Sequence, residues 1–508
     1  MPSPLKVGRL FKIQYMHRIR LVYLLTFLLC GCAGARYARY TPEQTYPVEV
    51  LKKDFSLLIN ILEADHPSLY WYTPKDSIQY YFDQAEAAIT RPMTEVEFKN
   101  LIGSALARIR CGHTGVRSSR MAEVYVGKHS LGPQFPFQVK ILPASQELAM
   151  VFSPYLRDTV FRPGDVITDI NGQDGASIIA RMRDYLSVDG YAYNFAYQRI
   201  SGDFPFWYRT LFGADSVFRI GIRQMSGRRF TTDVKAYDVE KDTSLAEALK
   251  IWEMGASHRF SKEAELERMR SLTLDSTGRL AVLSLRSFAD GVSKSFIRQS
   301  FRKLHREKVP SLVIDLRTNT GGVIKTAILL ARYLKKTDFV FTDSIYTPTR
   351  KLRYKRYLDK SFVYQLGLTF LTRKGADGNY HFKYFEGTRY QPVKKNHYDG
   401  HVYILTGGFT FSAASIFTAD MKGTPGVTIL GEETGGGHYG NDGVFISEIT
   451  LPGSGLRVSL PLFRMIINHQ FDKDGRGVTP DIEVVPSTSD IRVGLDPKMK
   501  KVAELLGY

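Results

Sequence analysis

Val402-Tyr403-Ile404-Leu405-Thr406-Gly407-Gly408-Phe409-Thr410-Phe411-Ser412-Ala413-Ala414-Ser415 reads as a buried strand, a glycine turn and the start of a helix. The apolar run bounded by Gly-Gly suits a strand covered on both faces. The same pattern recurs around it. Apolar runs at 280–285, 311–316 and 427–430 predict strands, and 296–308, 324–334 and 412–421 predict helices. Alternating strands and helices predict an α/β fold with a mainly parallel, helix-covered sheet over residues 265–508.

Upstream the pattern changes twice. Leu51, Phe55, Leu58, Ile59 and Leu62 recur at helical spacing, and His66-Pro67 ends that helix. Thr94 with Glu97 three residues on forms a capping box for a helix reaching about Arg110. Residues 46–118 are therefore expected to be a helical domain. Residues 122–240 read as strands and turns, with a hairpin from 135–142 and 148–152. There Pro163-Gly164 and Asn171-Gly172 supply turns around the apolar Val166-Ile167.

The chemistry gathers at two strand ends. Ser412 opens a helix, where free backbone N–H groups and the helix dipole favour negative charge, so it reads as a nucleophile or as a plain helix cap. Asp315-Leu316-Arg317-Thr318-Asn319-Thr320-Gly321-Gly322 follows another buried strand. An acyl-transfer site needs two N–H donors aimed at one oxyanion. Ala413 supplies one, and Gly321 or Gly322 the other.

The IDLRxNxGG segment, TFSAAS, Gly431-Glu432-Glu433-Thr434-Gly435-Gly436-Gly437 and Gly477-Val478-Thr479-Pro480-Asp481-Ile482 occur in that order. Together they resemble the S41 serine peptidases, which include the C-terminal processing peptidases and tricorn. The resemblance implies a crotonase-like α/β spiral core, a serine acyl-enzyme on Ser412, protein or peptide substrates, and no metal or cofactor. Phe161-Arg162-Pro163-Gly164-Asp165-Val166-Ile167-Thr168-Asp169-Ile170-Asn171-Gly172 is similar to a PDZ signature, implying peptide capture by strand addition. Many relatives use a lysine base shortly after the Gly-Glu segment. Here Lys422 is the one lysine between Ser412 and Lys473, about 15 Å along the Ser412 helix, too far to serve. The tricorn-like branch uses a histidine, whose counterpart is His113 in Cys111-Gly112-His113-Thr114, with Cys111 where that branch has Asp. His438 is the competing base, and Asp474 the nearest match to a supporting acid. The missing lysine leaves a second reading open, a degenerate S41 fold that binds peptides or small hydrophobic ligands.

Residues 1–31 carry five basic residues and no acid, followed by an apolar run at 21–29 too short to span a bilayer. Leu29-Cys30-Gly31-Cys32 resembles a lipobox, so Cys32 is the expected lipidation site, residues 32–45 a tether, and the cell envelope the expected location. Removing 1–31 would lower the net charge from +18 to +13. The one basic stretch with interleaved aromatics, at 350–357, comes with no nucleic-acid module, so none is expected as partner.

Overall fold

The computed structural model describes residues 40–129, 131–153, 160–238, 241 and 262–507. The expected leader, residues 1–31, and Cys32 lie outside the described residues, and no described helix is long and apolar enough to cross a membrane.

The central sheet runs Arg270–Leu274, Leu280–Leu285, Ser311–Asp315, His401–Thr406, Val427–Gly431, Ile482–Glu483 in spatial order, parallel after its first antiparallel pair. Alternate side chains enter different layers, as strand geometry requires. Leu312 and Ile314 face the main core, and Val313 joins Leu405, Leu430 and Val502 beneath the Pro497–Leu505 helix. The Lys294–Glu307, Ile324–Leu334 and Ala413–Met421 helices contribute to the main core, where the Phe301 and Tyr333 rings stack at 4.3 Å.

A second, antiparallel sheet was not read from the sequence. It orders Thr372–Lys374, Tyr380–Phe382, Ser344–Thr347, Arg457–Ile466 and Gly440–Thr450, and the short Val116–Arg117 strand pairs with Arg457–Ile466. Val116–Arg117 lies just beyond Cys111-Gly112-His113-Thr114, so this pairing anchors that segment to the second sheet. The amino-terminal helices do not form a core of their own. Leu51, Phe55, Phe98 and Ile102 belong to the same buried cluster as Leu312, Phe417 and Leu460. Buried Asp54 ties the join, accepting from Gly453 N at 2.9 Å and from Ser454 N and Oγ at 2.7 Å each.

The β-rich unit has a separate core around Phe137, Ile170, Ile179 and Phe218. Its sheet orders Gln138–Leu142, Glu147–Phe152, Val166–Ile170, Val217–Arg223 and Arg229–Lys235. Asn171-Gly172 makes the expected tight turn, both residues at positive φ. The Gln138–Leu142 edge is covered by the Asn194–Gly202 helix, whose Ser201 Oγ accepts the Ile141 N–H at 2.9 Å. That part of this edge is therefore not open to strand addition.

Asp65 closes the Val48–Asp65 helix, fully buried, with no hydrogen-bond partner for either carboxylate oxygen among the described residues. Burial raises its pKa to about 6, against the pull of Arg353. The folded state thus holds this proton more tightly than the unfolded chain, and stability is lost as pH rises from about 4 through about 6. Asp65→Asn is expected to raise stability at pH 8 by about 2–3 kcal/mol and to make little difference near pH 4. Urea unfolding at both values measures this; equal effects would contradict it.

Candidate active site

Ser412 sits between the His401–Thr406 strand and the Ala413–Met421 helix with φ 52° and ψ −125°. A non-glycine residue there costs about 1–3 kcal/mol and persists only when its surroundings fix it. The fixing is visible. Thr410 Oγ1 donates to Leu316 O at 2.8 Å, Phe411 N donates to Asn319 O at 3.0 Å, and Gly435 N donates to Thr410 O at 3.0 Å. Gly321 passes so close that a Cβ on it would lie 2.7 Å from Ser412 Cβ, and its φ of 97° also suits glycine.

His113 arrives from 299 residues away and places Nε2 3.1 Å from Ser412 Oγ. Its ring stacks on Phe411 at 4.7 Å. Its Nδ1 lies 3.7 Å from Asp189 Oδ1 and has no hydrogen-bond partner among the described residues. Asp189 is buried and held by the Gly112 N–H at 2.8 Å and the Gly437 N–H at 3.4 Å. Serine, imidazole and carboxylate therefore stand in a row. A neutral hydroxyl attacks poorly unless a base takes its proton, and an acid behind the base fixes the tautomer.

Other expected residues fall differently. Gly322 and Ala413 line one cavity with Ser412, and their N–H groups have no acceptor among the described residues. The Gly321 N–H is taken by Asn319 Oδ1 at 2.8 Å, so Gly321 gives close approach and Gly322 the spare donor. His438 and Asp474 pair with each other at 3.6 Å, and His438 Nδ1 also contacts Arg476 O at 3.0 Å. No hydrogen bond or ion pair joins either to Ser412 or His113 among the described residues. Ser415 is buried and donates to Ser412 O at 2.8 Å.

Sequence reasoning missed Asp189, whose Asp-Gly context reads as an ordinary turn. It also missed Gly443, in the irregular stretch between Asn441 and Val444. A Cβ there would lie 2.8 Å from both His113 Nε2 and Ser412 Oγ.

Cys111, His113 and Asp189 bring ligand atoms within 4.8 Å of one another, the one such metal-compatible group among the described residues. Burial, with Asp442 and Asp189 nearby, pushes the Cys111 thiol well above its usual range. A thiol held protonated is neither a ready ligand nor a nucleophile. His113 and Asp189 are instead already engaged in line with Ser412, with Cys111 beside them as a neutral thiol.

Gly443→Ala is expected to part Ser412 from His113 and to slow fluorophosphonate labelling of the chain at least about 10-fold, since proton transfer by a positioned base contributes ~10²–10⁴. Labelling rate and unfolding midpoint measured together decide it; an unchanged rate would show that the contact tolerates the methyl group.

Residues 279–484 match the family model for Peptidase family S41. A probable CtpA-like serine protease of Staphylococcus saprophyticus is 21% identical over 308 residues, 58% of this chain and 54% of that protein. The chain thus matches about half the length of this curated relative. Mature CPAF complexed with lactacystin is similar with a TM-score of 0.61 at 14% identity, over 90% of this chain and 98% of that one. Another structure of mature CPAF gives 0.59 at 13% identity, over 90% and 96%. These two likenesses are of fold. Residues 279–484 form a Peptidase family S41 domain.

Proposed function

We propose that the chain is a serine peptidase of the tricorn-like branch, with Ser412 as nucleophile and His113 as base. The observation that carries this reading is the 3.1 Å approach of His113 Nε2 to Ser412 Oγ on a strained strand-to-helix turn. Ser412 Oγ bonds to the scissile carbonyl carbon and its proton passes to His113 Nε2. The carbonyl oxygen takes the negative charge, facing the Gly322 and Ala413 amides. The C–N bond then breaks and His113 returns the proton to the leaving amine. Water hydrolyses the resulting ester by the same route in reverse, restoring Ser412. Asp189 orients His113 and stabilises its protonated form, the role that the acid replaced by Cys111 would otherwise take. The absent lysine is thereby accounted for, and the binding-only reading loses its main support.

The crotonase-like description of the core and the PDZ-like description of residues 122–240 belong to the same proposal. Proteins or peptides, engaged through unfolded or C-terminal segments, are the proposed substrates. The proposed location is the cell envelope, anchored through a lipid on Cys32. Radiolabelled palmitate should then enter the wild type and not Cys32→Ala; equal labelling would sink the anchor.

The decisive experiment is hydrolysis of an unfolded protein together with fluorophosphonate labelling. Ser412→Ala should lose labelling and at least about 10³-fold in turnover while folding normally. Asp189→Asn should lose about 10²–10⁴-fold in turnover, as expected when the base is left in the wrong tautomer. Ligand binding without labelling in the wild type would favour the degenerate binder. Full turnover in Asp189→Asn would remove Asp189 from the mechanism.

A further inference from the structure

The basic stretch at 350–357 takes no part in the site. Its Lys355–Tyr357 turn packs against the Ser361–Leu371 helix that follows. That helix is apolar on its outer side. Phe362, Val363 and Phe370 are 73%, 62% and 67% exposed, and Leu366 is exposed with them. At about 100° per residue these four fall within an arc of about 100°, a single face. Leu368 on the opposite side is buried, and on that side Tyr364 Oη donates to Ile446 O at 2.9 Å. At the far end Lys383 N donates to Leu371 O at 2.9 Å, which brings Tyr384, 62% exposed, to the end of the helix.

Single exposed apolar residues need no explanation, but a contiguous face of large ones marks a docking surface. The charge around it says what docks. Residues 350–384 hold nine lysines and arginines against two acids, Asp359 and Asp377, and Asp377 is already engaged by His381 Nε2 at 3.0 Å. None of the nine is ion-paired among the described residues, though Arg353 lies near buried Asp65. Lys351, Lys355, Arg356 and Lys360 are exposed before the helix, and Arg373 and Lys374 after it. Lys360 is the N-cap residue and the first turn carries no acid, so positive charge stands where the helix dipole is already positive. Two copies of such a face would repel each other. An anionic lipid surface satisfies both parts at once, the apolar side chains among acyl chains and the cations among phosphates. We propose that the Ser361–Leu371 helix and its basic flanks dock on an anionic bilayer surface. Eleven residues cover about 16 Å, so the helix lies along the interface and does not cross it. This docking rests neither on the peptidase reading nor on a lipid at Cys32. It does bear on the site, because the Tyr364 ring lies 5.9 Å from Phe445, and Phe445 and Phe382 line the cavity that holds Ser412. Docking sets the wall of that cavity beside the lipid surface.

The test is hydrogen exchange on the full chain carrying Cys32→Ala, so that no acyl chain on Cys32 contributes. Vesicles are phosphatidylcholine alone, or phosphatidylcholine with phosphatidylglycerol at about 2:1. Amides of residues 361–371 are expected to exchange at least about 5-fold more slowly on the anionic vesicles and at their free rate on the neutral ones. The slowing should fade as added salt screens the charges. Phe362→Ser/Phe370→Ser and Lys355→Gln/Arg356→Gln should each raise the vesicle concentration for half protection at least about 10-fold. The four substituted side chains are exposed, so the unfolding midpoint and fluorophosphonate labelling should stay unchanged. If one double variant does not fold, the other carries the test. Unchanged exchange at 361–371 on anionic vesicles would overturn the inference, and so would equal protection on neutral ones. Protection that grows with chain concentration in the absence of vesicles would assign the face to a second copy. Protection by an unfolded protein without vesicles would assign it to a protein partner. Either result overturns lipid docking.

Discussion

The site hangs on Phe411. Its ring is buried in the core of the β-rich unit, stacked on Phe195 at 4.3 Å and 10°, with the His113 ring against it at 4.7 Å. One side chain thus ties together the S41 domain, the amino-terminal segment and the β-rich unit, immediately before Ser412. The energies are of comparable size. The positive φ at Ser412 costs about 1–3 kcal/mol. Burying a phenylalanine contributes about 1.5–3 kcal/mol, and each aromatic pair about 0.5–1.5 more. Docking of the neighbouring unit thus offsets the strain of the turn, in addition to the hydrogen bonds that hold Thr410 and Phe411 within the α/β core. Gly112 belongs to the same constraint, since a Cβ on it would lie 2.8 Å from the Phe411 ring and 3.0 Å from Asp189 Oδ1.

Behind His113 lies a second buried cluster that holds its backbone. Asp442 accepts from Ser68 Oγ at 2.6 Å and faces Arg464 at 3.5 Å, while His66 Nε2 meets Thr114 Oγ1 at 2.8 Å. Burial alone would push Asp442 up, but Arg464, His66, Ser68 and Cys111 outweigh it and hold the carboxyl below its usual range. Burial drives His66 down to about 4, with Arg464 adding to the effect and Asp442 opposing it, so it is neutral at pH 7. The cluster therefore presents the Asp442–Arg464 pair and a neutral His66 to Cys111 and Thr114, with the Asp189 carboxylate on the other side of Cys111. A protonated Cys111 fits among them; an aspartate at that position would add a further carboxylate beside Asp442 and Asp189, which already share the Arg464 guanidinium. This is a physical reason for the departure from Asp-Gly-His-Thr, with Asp189 reaching His113 from another segment.

Much of the core was legible because its signals are local. Apolar runs of strand length, the Thr94–Glu97 box and the Asn171-Gly172 turn report φ/ψ preferences that neighbours set, and each appears where expected, with helix ends moving by one to three residues. The antiparallel sheet escaped because its strands come from 344–382 and 440–466, too far apart for any local pattern to show the pairing. The site divided the same way. Ser412, Gly322 and Ala413 follow apolar strands, and the glycine-rich turns mark them. Gly321 shared the signal, but Asn319 capturing its amide is a three-dimensional fact. Asp189 had no local mark, and Asp474 stood near a motif while pointing elsewhere.

His113 shows why chain proximity was a poor guide to which histidine reaches Ser412. His438 lies 26 positions from Ser412 and follows the glycine run that packs against it, yet it turns outward to Arg476 O. The reason is Gly437, whose N–H is drawn to Asp189 and whose backbone bridges to Gly477. That bridge fixes the outward direction of the next residue. The space so freed beside Ser412 is narrow, bounded by Gly443 on one side and Phe411 on the other. A flat imidazole stacked on Phe411 fills it. A lysine entering from the same glycine run would have to displace that ring, and with it the contact that docks the β-rich unit. In this chain the placing of His113 beside Ser412 and the docking of the three segments are a single packing solution.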